Sequence, residues 1–210
     1  TGDAARSVLV LNMHHSIGDG ASVPILMREL SAFYASAGAT TTGDGISPLA
    51  IQYRDYVAWF ETWLKTPTAE EDRAYWVARL SGMGDSLDLP TDRPRGLGTS
   101  GRGGQIAREF GSAGRGLLAL AVEARTTPLA VLIALVRAVL HRYTGATDIT
   151  LGTVVSGRDE PGLEDQIGFF VNTLALRDPI DGADRFADVV ARSAGTLGEA
   201  LAHATYPFER

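Results

Sequence analysis

The alternation of apolar and polar positions divides the chain into a series of strands and helices. Residues 7–13 form a near-continuous apolar run, Val8-Leu9-Val10-Leu11 followed by Asn12 and Met13, which predicts a buried strand. After a short polar stretch a helix is expected, with Ser22 able to cap it and Pro24 in its first turn. Val23, Leu26, Met27, Leu30, Phe33 and Tyr34 then fall on one face at helical spacing. Residues 40–45 read as a loop. Residues 51–64 predict a second amphipathic helix carrying Tyr53, Tyr56, Trp59, Phe60 and Trp63, and residues 70–80 a third.

From 81 to 104 the chain is rich in Gly and Pro and has no periodicity, which marks a boundary between lobes. Residues 105–110 alternate weakly, as a strand would, and 117–125 suggest a short helix. Thr127-Pro128 opens a helix in which Leu129, Leu132, Ile133, Leu135, Val136, Val139 and Leu140 are apolar nearly all round, so burial is expected. A strand over 148–155, a loop over 156–166, a strand over 169–176 and a helix over 186–202 complete the pattern. Strands alternate with helices, which argues an α/β fold.

Composition narrows the classes of function. Of the 210 residues 45% are apolar, and the formal net charge is −6 with no basic block. That is globular composition, and it disfavours a nucleic-acid partner. No cysteine is present, so disulfides, thiolate metal sites and thiol nucleophiles are excluded. No apolar run reaches the ~18 to 20 residues of a membrane helix, and a cytoplasmic location is the expectation. Thr1 opens the chain and 206–210 close it just after an amphipathic run, so the sequence reads as an excerpt from something longer.

Chemistry concentrates at His14-His15-Ser16-Ile17-Gly18-Asp19-Gly20, between the first predicted strand and helix. Only four histidines occur, and two are adjacent here. Functional side chains often project from such junctions. Asp19 offers a carboxylate that fixes an imidazole tautomer or orders the loop through a buried ion pair. Gly20 suits a positive φ or a close backbone approach. Zinc ligation by the histidines and Asp19 is disfavoured, because adjacent residues of a strand point to opposite faces.

This motif resembles the His-His-x-x-x-Asp-Gly signature of condensation domains of non-ribosomal peptide synthetases. Three further blocks resemble that family in its order: Tyr53-Arg54-Asp55-Tyr56-Val57-Ala58-Trp59, Ile167-Gly168-Phe169-Phe170-Val171-Asn172-Thr173 and His203-Ala204-Thr205-Tyr206-Pro207-Phe208-Glu209. Ala204-Thr205 departs from the family's usual Gln-Asp, and Ala21 stands where a larger residue is common. Members run to about twice this length, with arginine-bearing blocks upstream of Thr1 and beyond Arg210.

The resemblance implies two chloramphenicol-acetyltransferase-like lobes meeting at a tunnel, the N-terminal one truncated. Residues 1–90 would belong to the N-lobe, 91–104 to a linker and 105–210 to the C-lobe. It implies amide formation between a donor acyl or peptidyl thioester and an acceptor aminoacyl thioester. No cofactor is bound directly; the substrates ride on the 4'-phosphopantetheine arms of donor and acceptor carrier domains, beside an adenylation domain. His15 would face the tunnel as base or as positioning group. His14 would pack on the far side of the strand. Backbone N–H groups near Gly20 would hold an oxyanion.

Asn172 would satisfy backbone groups or line the tunnel, and Tyr53 and Trp59 would pack in the core. Arg158 is expected either to reach Asp19 across the lobe junction or to pair locally with Asp159 or Glu160. The isolated 210 residues are expected to lack condensation activity. Competing readings are an epimerisation domain, a coenzyme A-dependent acyltransferase and a non-catalytic recruitment domain of the same fold. Heterocyclisation relatives carry aspartates in place of the histidines.

Overall fold

The structure, a computed structural model, describes residues 8–37, 46–84, 87–92, 101 and 103–210. The expected loop at 40–45 and parts of the Gly/Pro-rich stretch lie outside them. The described residues form a mixed α/β structure: α1 (Ser22–Ala35), α2 (Tyr53–Trp63), α3 (Pro67–Leu80), α4 (Ser112–Glu123), α5 (Pro128–Thr144), β1 (Asp148–Val155), β2 (Asn172–Pro179) and α6 (Phe186–Ala202). A single 3-10 turn, His15–Ile17, precedes α1.

β1 and α6 lie where the pattern places them. α5 is bounded by local chemistry. Thr127 Oγ1 accepts the Ala130 N–H at 3.2 Å, Pro128 occupies the first turn, and Gly145 closes the helix at φ 72°, a left-handed conformation that favours glycine. At the start of α2 the Gln52 N–H donates to the Asp55 carboxylate at 2.8 Å.

The described chain clusters into two compact units that interleave along the sequence. The first takes its residues from Thr1–Glu71, Val154–Asn172 and Thr205–Arg210; the second is Asp72–Thr153 with Thr173–Ala204. This clustering differs from the sequential division at 91–104, which remains a proposal about the lobes of a longer domain.

In the second unit, α5 packs against α4 and α6. Ala121, Val131, Ala134, Ile149, Ile180, Val189 and Val190 form a fully buried core. The strands run antiparallel: Ile180 N–H donates to Thr147 O, while Gly152 lies beside Thr173 further along. Arg137 is wholly buried, and its guanidinium lies 2.9 Å from Asp178 and donates to the Leu176 carbonyl. Burial pulls Arg137 below its ordinary pKa, against the opposing pull of Asp178. Arg79 reaches the same carboxylate at 3.0 Å, tying α3 to β2.

Several expectations are corrected. Residues 8–13 form no strand; Val8 and Val10 are 89% and 80% exposed. A strand exists through its ladder, and among the described residues β1 and β2 pair only with each other. Residues 105–110 are irregular for the same reason. Of the apolar stripe on α1 none is fully buried; Val23, Met27, Phe33 and Tyr34 are exposed, and the buried apolar residue is Ile25. Periodicity names the face that wants a partner without supplying one.

α5 is buried on one stripe rather than all round. Ala130, Val131, Ile133, Ala134 and Arg137 face inward, and Leu129, Leu132, Leu135, Val136 and Val139 remain exposed. Small side chains at 130 and 134 let the neighbouring helices approach. The second strand begins at Asn172, three residues later than expected. No single helix among the described residues is long and apolar enough to cross a membrane.

Candidate active site

The site lies within the first compact unit and is assembled from three stretches of sequence: the 3-10 turn with its following loop, the start of α2, and the segment 157–170. Its centre is Asp19, 2% exposed. Asp19 Oδ1 accepts from the Ser22 N–H at 2.9 Å, the Ser22 hydroxyl at 2.8 Å and Arg158 Nη2 at 2.9 Å. Oδ2 accepts the Phe170 N–H at 3.2 Å. Burial alone pushes the Asp19 carboxyl up. The donations from Ser22, Arg158 and Phe170 outweigh it and hold the group below its ordinary value.

Arg158 is gripped from three sides. Nη1 donates to the Leu163 and Gln166 carbonyls, both at 2.7 Å; Nη2 donates to Asp19; and the guanidinium lies over the Phe170 ring, 4.2 Å from its centroid. Of the two expectations for Arg158, the pair with Asp19 is the one present. Both partners belong to the same compact unit, so the pair holds this unit's loops together. Gly157 makes the approach possible: its φ is 62°, and a Cβ there would strike the Phe170 carbonyl.

Ser22 is not the cap of α1 that its position suggests: it is the first residue of the helix, Ala21 precedes it without a side-chain cap, and the Ser22 N–H is itself met by Asp19. Its buried hydroxyl lies 3.0 Å from the Gly168 carbonyl and 3.2 Å from the Asp19 N–H, the Gly168 N–H and Arg158 Nη2. It therefore links the motif loop to the Ile167–Asn172 block. The Asp-x-x-Ser spacing at 19–22 is the sequence signal that points to this reciprocal arrangement. Gly168 is required for packing, since a Cβ would collide with the Tyr53 ring. Tyr53 Oη donates to the Phe169 carbonyl at 2.9 Å, and its ring meets Phe170 edge-on, so its packing role is joined by a hydrogen bond into the site.

The two histidines part company. His14 Nδ1 accepts the Ser16 N–H at 3.2 Å and lies 2.8 Å from the Ser16 hydroxyl, which fastens the 3-10 turn. His14 is exposed, not packed behind a strand, because no strand forms there. His15 is exposed too. Among the described residues its ring makes no hydrogen bond, and it rests edge-on against Phe169, with centroids 5.5 Å apart and planes at 77°. Asp19 is fully engaged elsewhere and does not orient either imidazole.

Two further residues need restating. Gly20 is exposed, and a Cβ there would meet open space; the crowded glycine is Gly18, where a Cβ would lie 2.7 Å from the Met13 methyl. Asn172 uses its side chain on the backbone, donating to the Tyr206 carbonyl at 2.7 Å and accepting the Phe208 N–H at 3.0 Å. The arrangement as a whole is an exposed imidazole, His15, with no hydrogen bond among the described residues, beside a loop fixed by a buried ion pair.

The profile of the family described as "Condensation domain" matches residues 2–210. A linear gramicidin synthase polypeptide of Brevibacillus parabrevis is 41% identical over 209 residues, 99% of this chain and 4% of that protein. Phosphinothricin tripeptide synthetase PhsC of Streptomyces viridochromogenes is 38% identical over 208 residues, 97% of this chain and 19% of that protein. The chain thus spans a small part of the length of these relatives. Among solved structures, the X-domain from teicoplanin biosynthesis superposes with a TM-score of 0.84 at 29% identity, covering 93% of this chain and 45% of that one. The first condensation domain of the calcium-dependent antibiotic synthetase superposes with a TM-score of 0.72 at 26% identity, covering 93% and 45%.

Proposed function

We propose, from the premise that this chain belongs to the condensation-domain family of non-ribosomal peptide synthetases, that it contributes the histidine centre of a peptide-bond-forming acyltransferase. The donor would be an acyl or peptidyl thioester and the acceptor an aminoacyl thioester. Both would be carried on 4'-phosphopantetheine by carrier domains, with an adenylation domain adjacent, in the cytoplasm. The observation that carries the reading is the division of labour at the motif: His14 is tied to Ser16 and Asp19 to Arg158, while His15 is exposed and uncommitted.

In the proposed reaction the acceptor amine attacks the donor carbonyl, a C–N bond forms, the C–S bond breaks, and the departing thiolate takes up a proton. His15 receives the proton lost by the amine, or hydrogen-bonds the amine and fixes its approach. The Ser22 N–H is committed to Asp19, so the Gly20 and Ala21 N–H groups are the nearby donors for a developing oxyanion. In the full-length parent protein, His15→Ala should lower dipeptide formation between loaded carriers by ~100-fold or more. Mass spectrometry of carrier-bound product reads the outcome, and full activity would rule out an essential chemical role.

A second reading has its own support. The structure superposing at TM-score 0.84 is an X-domain, and another X-domain chain with the same TM-score is in complex with OxyB. A recruitment domain would dock a partner enzyme without forming a bond, and His15→Ala would then leave its function intact.

A further inference from the structure

The geometry points to Phe169 as the positioning residue that sets the orientation of the His15 ring, an inference that rests on the reading of His15 given above. An imidazole on a short turn rotates about two bonds, and each staggered well directs its nitrogens differently. His15 has no hydrogen bond among the described residues to select one well. Its ring contact is with Phe169, edge-on at 5.5 Å and 77°. Perpendicular aromatic pairs of this kind have a preferred geometry, so the contact restricts the imidazole as well as covering it.

Phe169 is itself held with unusual care for a half-buried residue. Its carbonyl accepts from Tyr53 Oη at 2.9 Å. The next N–H, that of Phe170, donates to Asp19, and the preceding residue, Gly168, donates its N–H to the Ser22 hydroxyl. The Phe170 ring lies beneath the Arg158 guanidinium and edge-on to Tyr53. The backbone groups on both sides of the Phe169 side chain are thus fixed by residues of the site, while the side chain is left to face His15. Three separate sequence blocks, those around Asp19, Tyr53 and Gly168, converge on the placement of this one ring. Their role in the proposed reaction is then to fix an angle, without touching substrate.

The test uses the full-length synthetase with loaded donor and acceptor carriers. Turnover at saturating acceptor carrier, the half-saturating acceptor concentration and the thermal midpoint are measured for Phe169→Leu, Phe169→Tyr, Tyr53→Phe and His15→Ala. Phe169→Leu should lower turnover by roughly 3- to 10-fold, the loss of one oriented aromatic pair, with half-saturation and midpoint unchanged. Phe169→Tyr keeps the ring and should restore turnover to within about twofold of wild type. Tyr53→Phe removes only the hydroxyl that holds the Phe169 carbonyl and should cost roughly two- to threefold in turnover, with half-saturation unchanged and a small fall in midpoint from the lost hydrogen bond. It also decides the matter if Phe169→Leu does not fold.

Wild-type turnover in Phe169→Leu beside an inactive His15→Ala overturns the positioning role and leaves the reading of His15 standing. So does a loss that the tyrosine fails to rescue, or one matched by a fall in midpoint. Full turnover in His15→Ala overturns both.

Discussion

Asp19 and Asp178 are each 2% exposed, and each lies 2.9 Å from an arginine, Arg158 in the first compact unit and Arg137 in the second. The surroundings differ. Asp178 sits on β2 and faces two guanidiniums, those of Arg137 and Arg79, together with the Thr196 hydroxyl of α6. Its partners stand on regular elements, so the cluster clamps helices to a strand. Asp19 sits in a loop, faces one guanidinium, and takes its remaining donors from Ser22 and the Phe170 backbone. Its partners stand mostly on irregular chain, and four residues before it is the uncommitted His15. The same chemical pair fastens a core in one place and shapes a loop in the other. A buried ion pair is therefore not in itself a mark of function; the exposed group beside it is what distinguishes the two.

The sharpest way to break this contrast is Asp178→Asn in the parent protein. It leaves the fully buried Arg137 without a full counter-charge and should cost about 3–5 kcal/mol, read as a shift in denaturation midpoint. Turnover of the folded fraction should stay within about twofold of wild type, because among the described residues no exposed imidazole is bonded to the cluster. Lost turnover with intact stability would invert the comparison. Arg158→Lys should do less to stability and more to chemistry. One ammonium retains the charge but cannot serve Asp19, Leu163 and Gln166 in the geometry of a guanidinium fork, so a loss of about 1–2 kcal/mol is expected. Turnover should fall by roughly tenfold or more as the loop beside His15 loosens.

The smallest effect is in acid. Asp19 is held below its ordinary value in the folded state, so its stabilisation is fully present above the unfolded carboxylate value of ~3.9 and is lost as pH falls through the folded value. Unfolding free energies measured from about pH 5 to pH 2 should fall more steeply for wild type than for Asp19→Asn, with the two curves converging at the acid end. Parallel curves would detach the pair from acid stability.

How much of this was legible in the sequence depends on whether a signal is local. The limits of β1 and α6 match the periodicity of their own residues, and the Thr127-Pro128 start of α5 follows from cap chemistry written within a few residues. The burial of Arg137 was not legible, because it sits in an otherwise apolar helix and its partner Asp178 is on another element. Phe169 to Val171 read as strand because they are apolar, yet the ladder starts at Asn172. The Phe169 carbonyl and Phe170 N–H are spent on Tyr53 and Asp19 instead. At the site, the motif located Asp19 and His15 and the resemblance supplied their roles. The contacts of Ser22 with Gly168 and of Phe169 with His15 were not legible, because each joins positions about 150 residues apart in sequence. Gly20, which the motif emphasises, has room for a side chain where Gly18 has none.

The bond between Arg158 and Asp19 spans 139 positions of chain, and this sets a schedule for synthesis. A ribosome adding about 5–20 residues per second needs roughly 7–28 s to travel from one to the other. Throughout that interval Asp19 is made but lacks its cation, and the loop carrying His15 has only its local bonds to Ser16 and Ser22. Closure waits further for the arginine to clear the exit tunnel. The histidine motif, although translated early, is therefore among the last parts of this unit to take shape, and a nascent chain stalled before position 158 would display the motif without its geometry.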